Sequence, residues 1–362
     1  MKILFLNYEF TPIGGGASPV CLEIARGYVE HGHEVDVVTM SYKDLPAFEI
    51  IDGINVFRVK SWRSKIEICH PWEQLTYLLS AWFFLLRRLR KVRYDINHTH
   101  FIIPTGVLAL WAKKRFNIPY VLTSHGSDVL GHNNRFAMLY PFLGIPWKTI
   151  IKHAKCVTAP SDYLIEKIKE ITRDGTFVTV VNGLDLKRFK PLKKDKTILI
   201  VTRLFFNKGV QDILEALKGL DLGDWKVEIV GDGPYREDLK EKARVDGLSR
   251  TVKFLGWIDN DSPEMKNVYG KASIFISASY FESFGLTVLE AVSAGCYPLV
   301  SDIGGHRFIL KEDKYFFEKQ NVVDLRAKLR HLISHKVSAP KISLERFDWD
   351  HVIQDYISLL RQ

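Results

Sequence analysis

The chain has 362 residues, of which 46% are hydrophobic and 26% charged, which is typical of a globular protein with about two domains. Its four scattered cysteines form no Cys-x-x-Cys pair, which argues against a disulfide framework or a zinc ribbon and for a reducing, cytoplasmic location. The net charge of +9 is concentrated in residues 81–190 and favours an anionic partner there. No nucleic-acid recognition motif accompanies it, so nucleic acid is not expected.

The N-terminal half alternates short β-branched runs with helical patterns, as parallel sheets with crossover helices do. The first run, "KILFLNYE", lacks the long apolar core of a secretory signal. It leads through Gly14, Gly15 and Gly16 into an amphipathic helix, which the strand "HEVDVVTM" follows. Further strands are predicted in "DINHTH", "PYVLTSH" and "CVTAPS".

Residues 75–94, "LTYLLSAWFFLLRRLRKVRY", form the clearest amphipathic element of the basic segment. Their apolar part is shorter than the roughly 20 residues that span a bilayer. The helix could lie in a membrane interface, with its arginines and lysine near phosphate headgroups. A core helix with a basic exposed end is favoured over this, since apolar stripes on helices mostly face a core, and the two interpretations are compatible.

The C-terminal half starts a second α/β series with "KTILIVTRL" and continues through "WKVEIVGDGP", "TVKFLGW", "ASIFISAS" and "CYPLVSD". The lysine-rich stretch 187–196, "KRFKPLKKDK", is the best candidate linker, and it predicts domains of residues 1–190 and 191–347. The predicted fold class is α/β, with two Rossmann-like, doubly wound parallel sheets. In such sheets a ligand binds outside the strand carboxyl ends, here in a cleft between the halves.

Two glutamates, Glu282 and Glu290, bracket a short apolar run in "FESFGLTVLEAVSAG". A helix beginning near residue 284 or 285 would leave Glu282 on the loop at its mouth and Glu290 one turn inside. A diphosphate at that helix N-terminus would bring sugar and ribose hydroxyls within reach of one carboxylate each. Alternatively, Glu282 caps the helix and Glu290 forms a salt bridge. The backbone of this anion site belongs to Ser283, Phe284, Gly285, Leu286 and Thr287.

Two cations and two glycines follow other strands of this half. Arg203 and Lys208 lie on the loop after the first strand, where they could neutralise a departing phosphate without a metal ion. Gly231 and Gly233 in "VGDGP" follow the next strand and allow the backbone to approach a ligand closely.

These motifs together resemble the family-4 retaining glycosyltransferases of the GT-B fold. The most diagnostic feature is the glutamate pair with seven residues between. The other matching segments run from residue 14 to 308 and are the glycine run, "SHGSD" (124–128), "APSDYL" (159–164), "VNGLDLKRFKP" (181–191), "TRLFFNKG", "GDGP", "FLGW" and "DIGGHRF" (302–308).

The resemblance implies transfer of a sugar from a nucleotide-diphosphate sugar to a lipid-linked or saccharide hydroxyl, with no cofactor and no metal ion. Arg203 and Lys208 would bind the diphosphate, Glu290 the ribose and Glu282 the transferred sugar, with Gly15 and Gly16 also beside the donor. His125 would lie near the reactive face of the sugar, and the final helix, 348–362, would pack back on the first domain. The protein would be cytoplasmic, with peripheral membrane contact as a further option.

The sequence departs from the family pattern at two positions. Phe308 stands where many relatives have an acid, and Ala17, Ser18 and Pro19 stand where an acid and an arginine are common. Both departures bear on sugar or acceptor specificity more than on the chemistry.

Several alternatives remain open on sequence alone. His98 and His100 share a strand face and could form half of a metal site, without an apparent third ligand. A nicotinamide-dependent dehydrogenase is disfavoured because the glycine run lacks the G-x-G-x-x-G spacing. A nucleotide-sugar 2-epimerase of the same fold and a non-catalytic sugar- or lipid-binding protein complete the set.

Overall fold

A computed structural model of the protein describes residues 1–66, 68–131, 140–335 and 338–362. The chain divides into two compact units, one formed by Met1–Gly183 with Trp349–Gln362 and the other by Leu184–Asp348. Each unit is built on one sheet with crossover helices, so the predicted pair of doubly wound α/β units is confirmed. Within the described ranges, no helix is long and apolar enough to cross a bilayer.

The N-terminal unit contains an eight-stranded sheet in the order β3-β4-β2-β1-β5-β6-β7-β8. Its strands are β1 (Lys2–Leu6), β2 (Glu34–Met40), β3 (Phe48–Ile51), β4 (Ile54–Val59), β5 (Ile96–His100), β6 (Tyr120–Thr123), β7 (Cys156–Ala159) and β8 (Phe177–Thr179). Its first helices are α1 (Ala17–Glu30), α2 (Pro71–Arg88), α3 (Thr105–Phe116), α4 (Tyr140–His153) and α5 (Asp162–Lys169).

The C-terminal unit contains a six-stranded parallel sheet in the order β11-β10-β9-β12-β13-β14. Its strands are β9 (Asp195–Val201), β10 (Lys226–Val230), β11 (Val252–Gly256), β12 (Ala272–Ser277), β13 (Tyr297–Ser301) and β14 (Phe316–Phe317). Its helices are α6 (Val210–Leu217), α7 (Arg236–Val245), α8 (Pro263–Lys271), α9 (Leu286–Ser293), α10 (Gly304–Ile309) and α11 (Val322–Ser334). The last helix, α12 (Trp349–Arg361), belongs to the N-terminal unit.

Both sheets have the strand order of a doubly wound fold. In each, the chain first builds toward one edge and then returns to lie beside the strand with which it began, β5 beside β1 and β12 beside β9. The order reverses at these two points, and the loops that leave the neighbouring strands diverge there. Ligands of open α/β sheets bind outside the strand carboxyl ends at such switch points.

One edge of the N-terminal sheet is an antiparallel hairpin, which the sequence analysis did not predict. Strand β3 pairs antiparallel with β4. The two-residue turn between them consists of Asp52 and Gly53, with φ of 49° and 81°. An Asp-Gly pair favours this turn because both central residues must take positive φ.

Helix α12 packs against α1 of the N-terminal unit. The two helices approach closely at Gly27, where an added Cβ would lie 2.5 Å from Cγ1 of Ile353. The Tyr356 ring lies 5.1 Å from the His98 ring, centroid to centroid. Helix α12 therefore completes the core of the N-terminal unit, although it follows the entire C-terminal unit in the sequence.

The boundary between the units follows Gly183 rather than residue 190, and the stretch 187–196 is packed rather than extended as a linker. The Phe189 ring is buried 4.8 Å from the Tyr269 ring, and the Leu192 amide donates to the Gly270 carbonyl at 3.0 Å. The apolar residues within the basic stretch anchor it to the C-terminal unit.

Candidate functional site

The predicted donor residues of the C-terminal unit lie on loops at the carboxyl ends of β9, β10 and β12 and on α9. Strands β9 and β12 are neighbours at the switch point of the C-terminal sheet. Lys208, on the loop after β9, forms an ion pair with Glu282, on the loop after β12. The Ser279 hydroxyl also donates to Glu282 Oε1 at 2.9 Å. This ion pair links the two loops, and both of its residues are ones that the sequence predicted to bind the donor.

The charge state of Glu282 follows from this pairing. Burial alone would raise the pKa of Glu282, but the Lys208 ammonium and the Ser279 hydroxyl outweigh it and hold the pKa below its usual range. The Lys208 and Glu282 side chains remain 14% and 24% exposed. An ionised carboxylate with remaining lone pairs is thus accessible to a hydroxyl donor.

The glycines of "GDGP" allow the β10 loop to lie directly on the loop that carries Arg203. A Cβ added to Gly231, whose φ is +132°, would lie 1.8 Å from the Thr202 carbonyl oxygen. One added to Gly233 would lie 2.4 Å from the Leu204 carbonyl oxygen. Arg203 is exposed, and in the part of the chain that the structure describes it forms no ion pair. Its guanidinium therefore remains free to bind an anion.

Helix α9 begins at Leu286, slightly later than the sequence suggests, because Gly285 takes a left-handed conformation with φ of 102°. The amides of Val288 and Leu289 donate to the Gly285 carbonyl at 3.0 and 3.2 Å. In helix geometry the N–H groups of the first turn lack an intrahelical acceptor and attract anions. The amides that precede Val288, those of Leu286 and Thr287, belong to this first turn, and the anion site at the helix start stays a prediction.

Glu290 lies one turn into α9 and is only 6% exposed. The Tyr269 hydroxyl donates to Glu290 Oε2 at 2.8 Å. Burial raises the pKa of Glu290 to about 7, although the Tyr269 hydrogen bond and the Arg188 charge act in the opposite direction. Among the described residues Glu290 has a hydrogen bond from a tyrosine and no salt bridge, and nothing in the sequence signalled Tyr269.

The "DIGGHRF" segment supports the Glu282 loop from the β13 side. A Cβ on Gly305 would lie 2.3 Å from the Glu282 carbonyl oxygen, so only glycine permits this approach. His306 is fully buried, and burial lowers its pKa and favours the neutral imidazole. Phe308, which stands where relatives have an acid, lies 5.9 Å from the Phe284 ring.

In the N-terminal unit, the glycine run leads into α1 beside the predicted His125. Gly16 is the N-cap of α1, and nothing lies within 4 Å of a Cβ added there. The Gly15 carbonyl accepts from the Ser18 amide at 3.0 Å. One turn into α1, Cys21 Sγ lies 3.7 Å from His125 Nε2. His125 therefore lies against α1, the helix that Gly15 and Gly16 precede in the chain.

Asp128 holds the loop that carries His125. It belongs to the motif "SHGSD", and the sequence predicted no role for it. Asp128 Oδ1 accepts from the Ser124 hydroxyl at 2.9 Å and the Gly126 amide at 3.0 Å. Asp128 Oδ2 accepts from the Ile102 amide at 2.7 Å. One carboxylate therefore ties the loops after β5 and β6 together.

The structure does not favour the alternative in which His98 and His100 form half of a metal site. Both ring nitrogens of His98 are engaged, Nδ1 with the Tyr28 hydroxyl at 2.9 Å and Nε2 with Thr123 Oγ1 at 2.7 Å. Three other ligand atoms converge instead within 4.8 Å of one another, and they belong to Cys21, His100 and His125.

A thiol and two imidazoles at this spacing could hold a divalent metal ion. Burial raises the pKa of the Cys21 thiol and lowers that of His125 to about 4, so all three groups are neutral at pH 7. Among the described residues, however, His100 Nε2 is buried without the hydrogen-bond acceptor that metal-bound histidines usually have. The donor set is therefore incomplete as a metal centre.

Comparison with known protein families covers both units. Residues 184–346 match the family model described as glycosyl transferases group 1, and residues 14–188 match the model described as glycosyltransferase family 4. The chain belongs to the group 1 glycosyltransferases. The resemblance noted in the sequence is thus confirmed at the level of the family and of glycosyl transfer.

Relatives and solved structures agree with this membership. This glycosyltransferase is 29% identical to an uncharacterised glycosyltransferase of Methanocaldococcus jannaschii, over 86% of this chain and 83% of the relative. It is 27% identical to a UDP-Gal:alpha-D-GlcNAc-diphosphoundecaprenol alpha-1,3-galactosyltransferase of Escherichia coli, over 86% and 82%. A sucrose-phosphate synthase from Thermosynechococcus elongatus superposes with a TM-score of 0.87 and 20% identity, covering 100% of this chain and 98% of that one, which supports the GT-B fold.

The sequence-predicted residues of this glycosyltransferase thus divide between the two units, and the only ion pair that the structure shows among them, within the described residues, joins Lys208 and Glu282. The C-terminal group consists of Arg203, Lys208, Gly231, Gly233, Glu282, the start of α9 with residues 283–287, and Glu290. The N-terminal group consists of Gly15, Gly16 and His125. Sequence reasoning assigned no role to the neighbouring side chains of Tyr269, Ser279, His306, Cys21 and Asp128, and it named His100 only as half of a possible metal site.

Proposed function

We propose that this glycosyltransferase transfers a sugar from a nucleotide-diphosphate sugar to a hydroxyl of a lipid-linked or saccharide acceptor, with retention of configuration and without a metal ion. The observation that carries the proposal is the Lys208–Glu282 ion pair at the switch point of the C-terminal sheet, next to the start of α9. A cation and a helix N-terminus there suit the negative diphosphate of a nucleotide-diphosphate sugar, and two carboxylates suit the ribose and sugar hydroxyls on either side of it.

Each residue has a distinct role in the proposal. Arg203, Lys208 and the first amides of α9 bind the diphosphate and stabilise the negative charge that grows on the leaving phosphate. Glu290 accepts hydrogen bonds from the ribose, and Glu282, ionised and partly exposed, accepts from hydroxyls of the transferred sugar. The E. coli relative is named for a UDP-sugar donor, which supports this donor class.

Retention follows if the acceptor attacks from the face that the phosphate leaves. The departing phosphate oxygen then takes the proton of the acceptor hydroxyl while the bond from sugar to phosphate breaks. Lys208 reduces the charge on that phosphate, so the same cation assists departure and keeps the phosphate close. His125, with its pKa lowered by burial, is a neutral hydrogen-bonding group for the sugar.

The decisive experiment compares Glu282→Gln and Lys208→Met with wild type over a panel of UDP-, GDP- and ADP-sugars. We expect each variant to lose about a hundredfold or more in transfer and in donor hydrolysis, since each removes charge stabilisation at the reacting end. Lys240→Met is the matched control because Lys240 forms an exposed ion pair with Glu237 on α7. Full turnover in both site variants would refute the assignment.

Two further measurements test the finer parts of the proposal. The anomeric configuration of the first product, followed by nuclear magnetic resonance, should equal that of the donor. Activity should survive exhaustive dialysis against a chelator. Inversion would contradict the same-face mechanism, and loss of activity that zinc restores would point to Cys21, His100 and His125 instead.

A further inference from the structure

Helix α2 exposes apolar side chains where a surface helix normally exposes polar ones. Its inner side is buried through Tyr77, Ala81 and Leu85. The opposite side carries a row of side chains that are each about half exposed, namely Trp72, Leu75, Leu79 and Phe83. The row extends for about 16 Å along the helix at 1.5 Å per residue. An exposed apolar surface of this kind marks a binding site for an apolar partner.

The loop before α2 extends this surface. Trp62 is 66% exposed, and its ring packs edge-on against Trp72 at 5.7 Å between centroids. We call the surface formed by Trp62, Trp72, Leu75, Leu79 and Phe83 the α2 face. Tryptophan is favoured where a protein surface meets the headgroup region of a bilayer, because its ring is apolar and its N–H is polar.

The α2 face ends in a cluster of exposed cations. The cluster follows Phe83 on the same helix and the turn after it, and it consists of Arg87, Arg90, Lys91 and Arg93. The only acid between residues 71 and 93 is Glu73. It is buried and accepts from the Ser64 and His70 amides at 2.8 and 2.7 Å. No exposed carboxylate of α2 therefore weakens the attraction of this face for anions.

A mostly apolar cavity of about 170 Å³ adjoins the N-terminal end of the α2 face. Leu75 belongs to both, so the cavity opens beside the exposed row. Its walls come from α2, α4 and the loops after β1, β5 and β6, and they include Tyr8, Leu78, Ile103, Asp128 and Trp147. The β6 loop is the one that carries His125.

Aromatic rings connect the cavity to His125. The His125 ring lies 4.9 Å from the Phe101 ring, which lies 4.8 Å from the Tyr8 ring on the cavity wall. An acceptor with its apolar part in the cavity would therefore keep its hydroxyl end near the histidine that the proposed function assigns to the reacting sugar.

We propose that the α2 face docks on an anionic lipid bilayer and that the adjoining cavity takes the apolar part of an amphiphilic acceptor from it. The acceptor part of this inference rests on the proposed function. The bilayer part rests on the α2 face alone. The apolar row would enter the interface while the cations reach the lipid phosphates. Charge favours the bilayer over a second copy of the chain, since a self-contact would bring two cationic clusters together.

Sedimentation with vesicles, without any donor, tests the docking step. We expect wild type to bind vesicles of phosphatidylcholine with phosphatidylglycerol, and to bind less as salt is added. Leu79→Glu and Phe83→Glu should each weaken binding about tenfold. Arg90→Gln with Lys91→Gln should weaken it about 25-fold, at about fivefold per cation. Val323→Glu, at a residue 77% exposed on α11, is the matched control and should bind as wild type does.

Binding of 1-dodecanol, a chain with one hydroxyl, tests the cavity by titration calorimetry. Wild type should bind it, and Leu78→Trp, which fills the cavity, should weaken binding about tenfold. Circular dichroism confirms that the variant folds, and Leu78→Met, which preserves the volume, should bind as wild type does. A wild-type protein that binds no dodecanol would overturn the acceptor part of the inference.

Three other outcomes separate the inference from the proposed function. Vesicle binding that is unchanged in Leu79→Glu and Phe83→Glu would overturn the docking. A dimer in ultracentrifugation that Leu79→Glu dissociates, with no vesicle binding, would show that a second copy covers the α2 face. Wild type that binds vesicles but hydrolyses no nucleotide sugar would overturn the proposed function and leave the bilayer contact standing.

Discussion

Replacing Glu290 by glutamine should make the C-terminal unit more stable at high pH. The carboxyl is 6% exposed, and burial raises its pKa from 4.5 to about 7. The folded unit therefore holds this proton more tightly than the unfolded chain does, and stability falls as the pH rises from 4.5 to 7. The whole shift corresponds to about 3 kcal/mol, of which about 2 kcal/mol falls between pH 5 and pH 8.

Glutamine preserves the shape and can accept the Tyr269 hydrogen bond, but it never ionises. Hydrogen exchange in α9 gives the opening free energy of this region separately from the N-terminal unit. The variant should gain about 2 kcal/mol relative to wild type between pH 5 and pH 8. Glu264→Gln, at an exposed position in the first turn of α8, should show no such gain. A constant difference between Glu290→Gln and wild type at every pH would refute the reasoning.

The same ionisation should control donor binding. Ribose hydroxyls donate best to an ionised carboxylate, so donor affinity in wild type should rise as the pH increases through 7. Glu290→Gln should bind a UDP-sugar about tenfold more weakly than wild type near pH 8, and its affinity should vary less with pH. Affinity that follows the same pH curve in both proteins would place the titrating group elsewhere.

Three other predictions concern the supporting structure. Gly231→Ala should abolish donor binding and lower the melting temperature, because its Cβ would lie 1.8 Å from the Thr202 carbonyl oxygen; Gly219→Ala, also at positive φ but with open space, should cost only about 1 kcal/mol in a thermal melt. Cys21→Ser should retain transfer activity with and without a chelator. If wild type instead needs zinc for transfer and Cys21→Ser is inactive, Cys21 has a metal-binding role. Deletion of residues 349–362 should leave the N-terminal unit with exposed apolar surface, measured by dye binding, because α12 covers α1; native-like packing without α12 would contradict this.

Three of the predicted strands are easy to recognise because their apolar runs are continuous. Strands β1, β9 and β12 are buried on both faces, so they appear as unbroken runs of apolar residues. The β3–β4 hairpin was missed because its residues alternate in exposure and its Asp-Gly turn was not considered. Strand β14 has only two residues and depends on pairing with β13, which no local pattern shows.

The chemistry of the candidate site was predictable where residues lie at strand ends or at a fixed spacing along one helix. Glu282 and Glu290 are of this kind, and so is Lys208. Their partners were not, since Tyr269 lies 21 residues before Glu290 and reaches it only through the packing of α8. The convergence of Cys21 with His125 depends on tertiary contacts 104 residues apart. Such contacts depend on how the elements pack, which a single sequence does not state.

The return of α12 to the N-terminal unit has a consequence for biosynthesis. Domains generally fold as they leave the ribosome, the first before the second. Here the notch at Gly27 that Ile353 fills stays open until the entire C-terminal unit has been translated. The core of the N-terminal unit is therefore incomplete until α12 has been synthesised, and we expect its final consolidation to come after synthesis of the C-terminal unit.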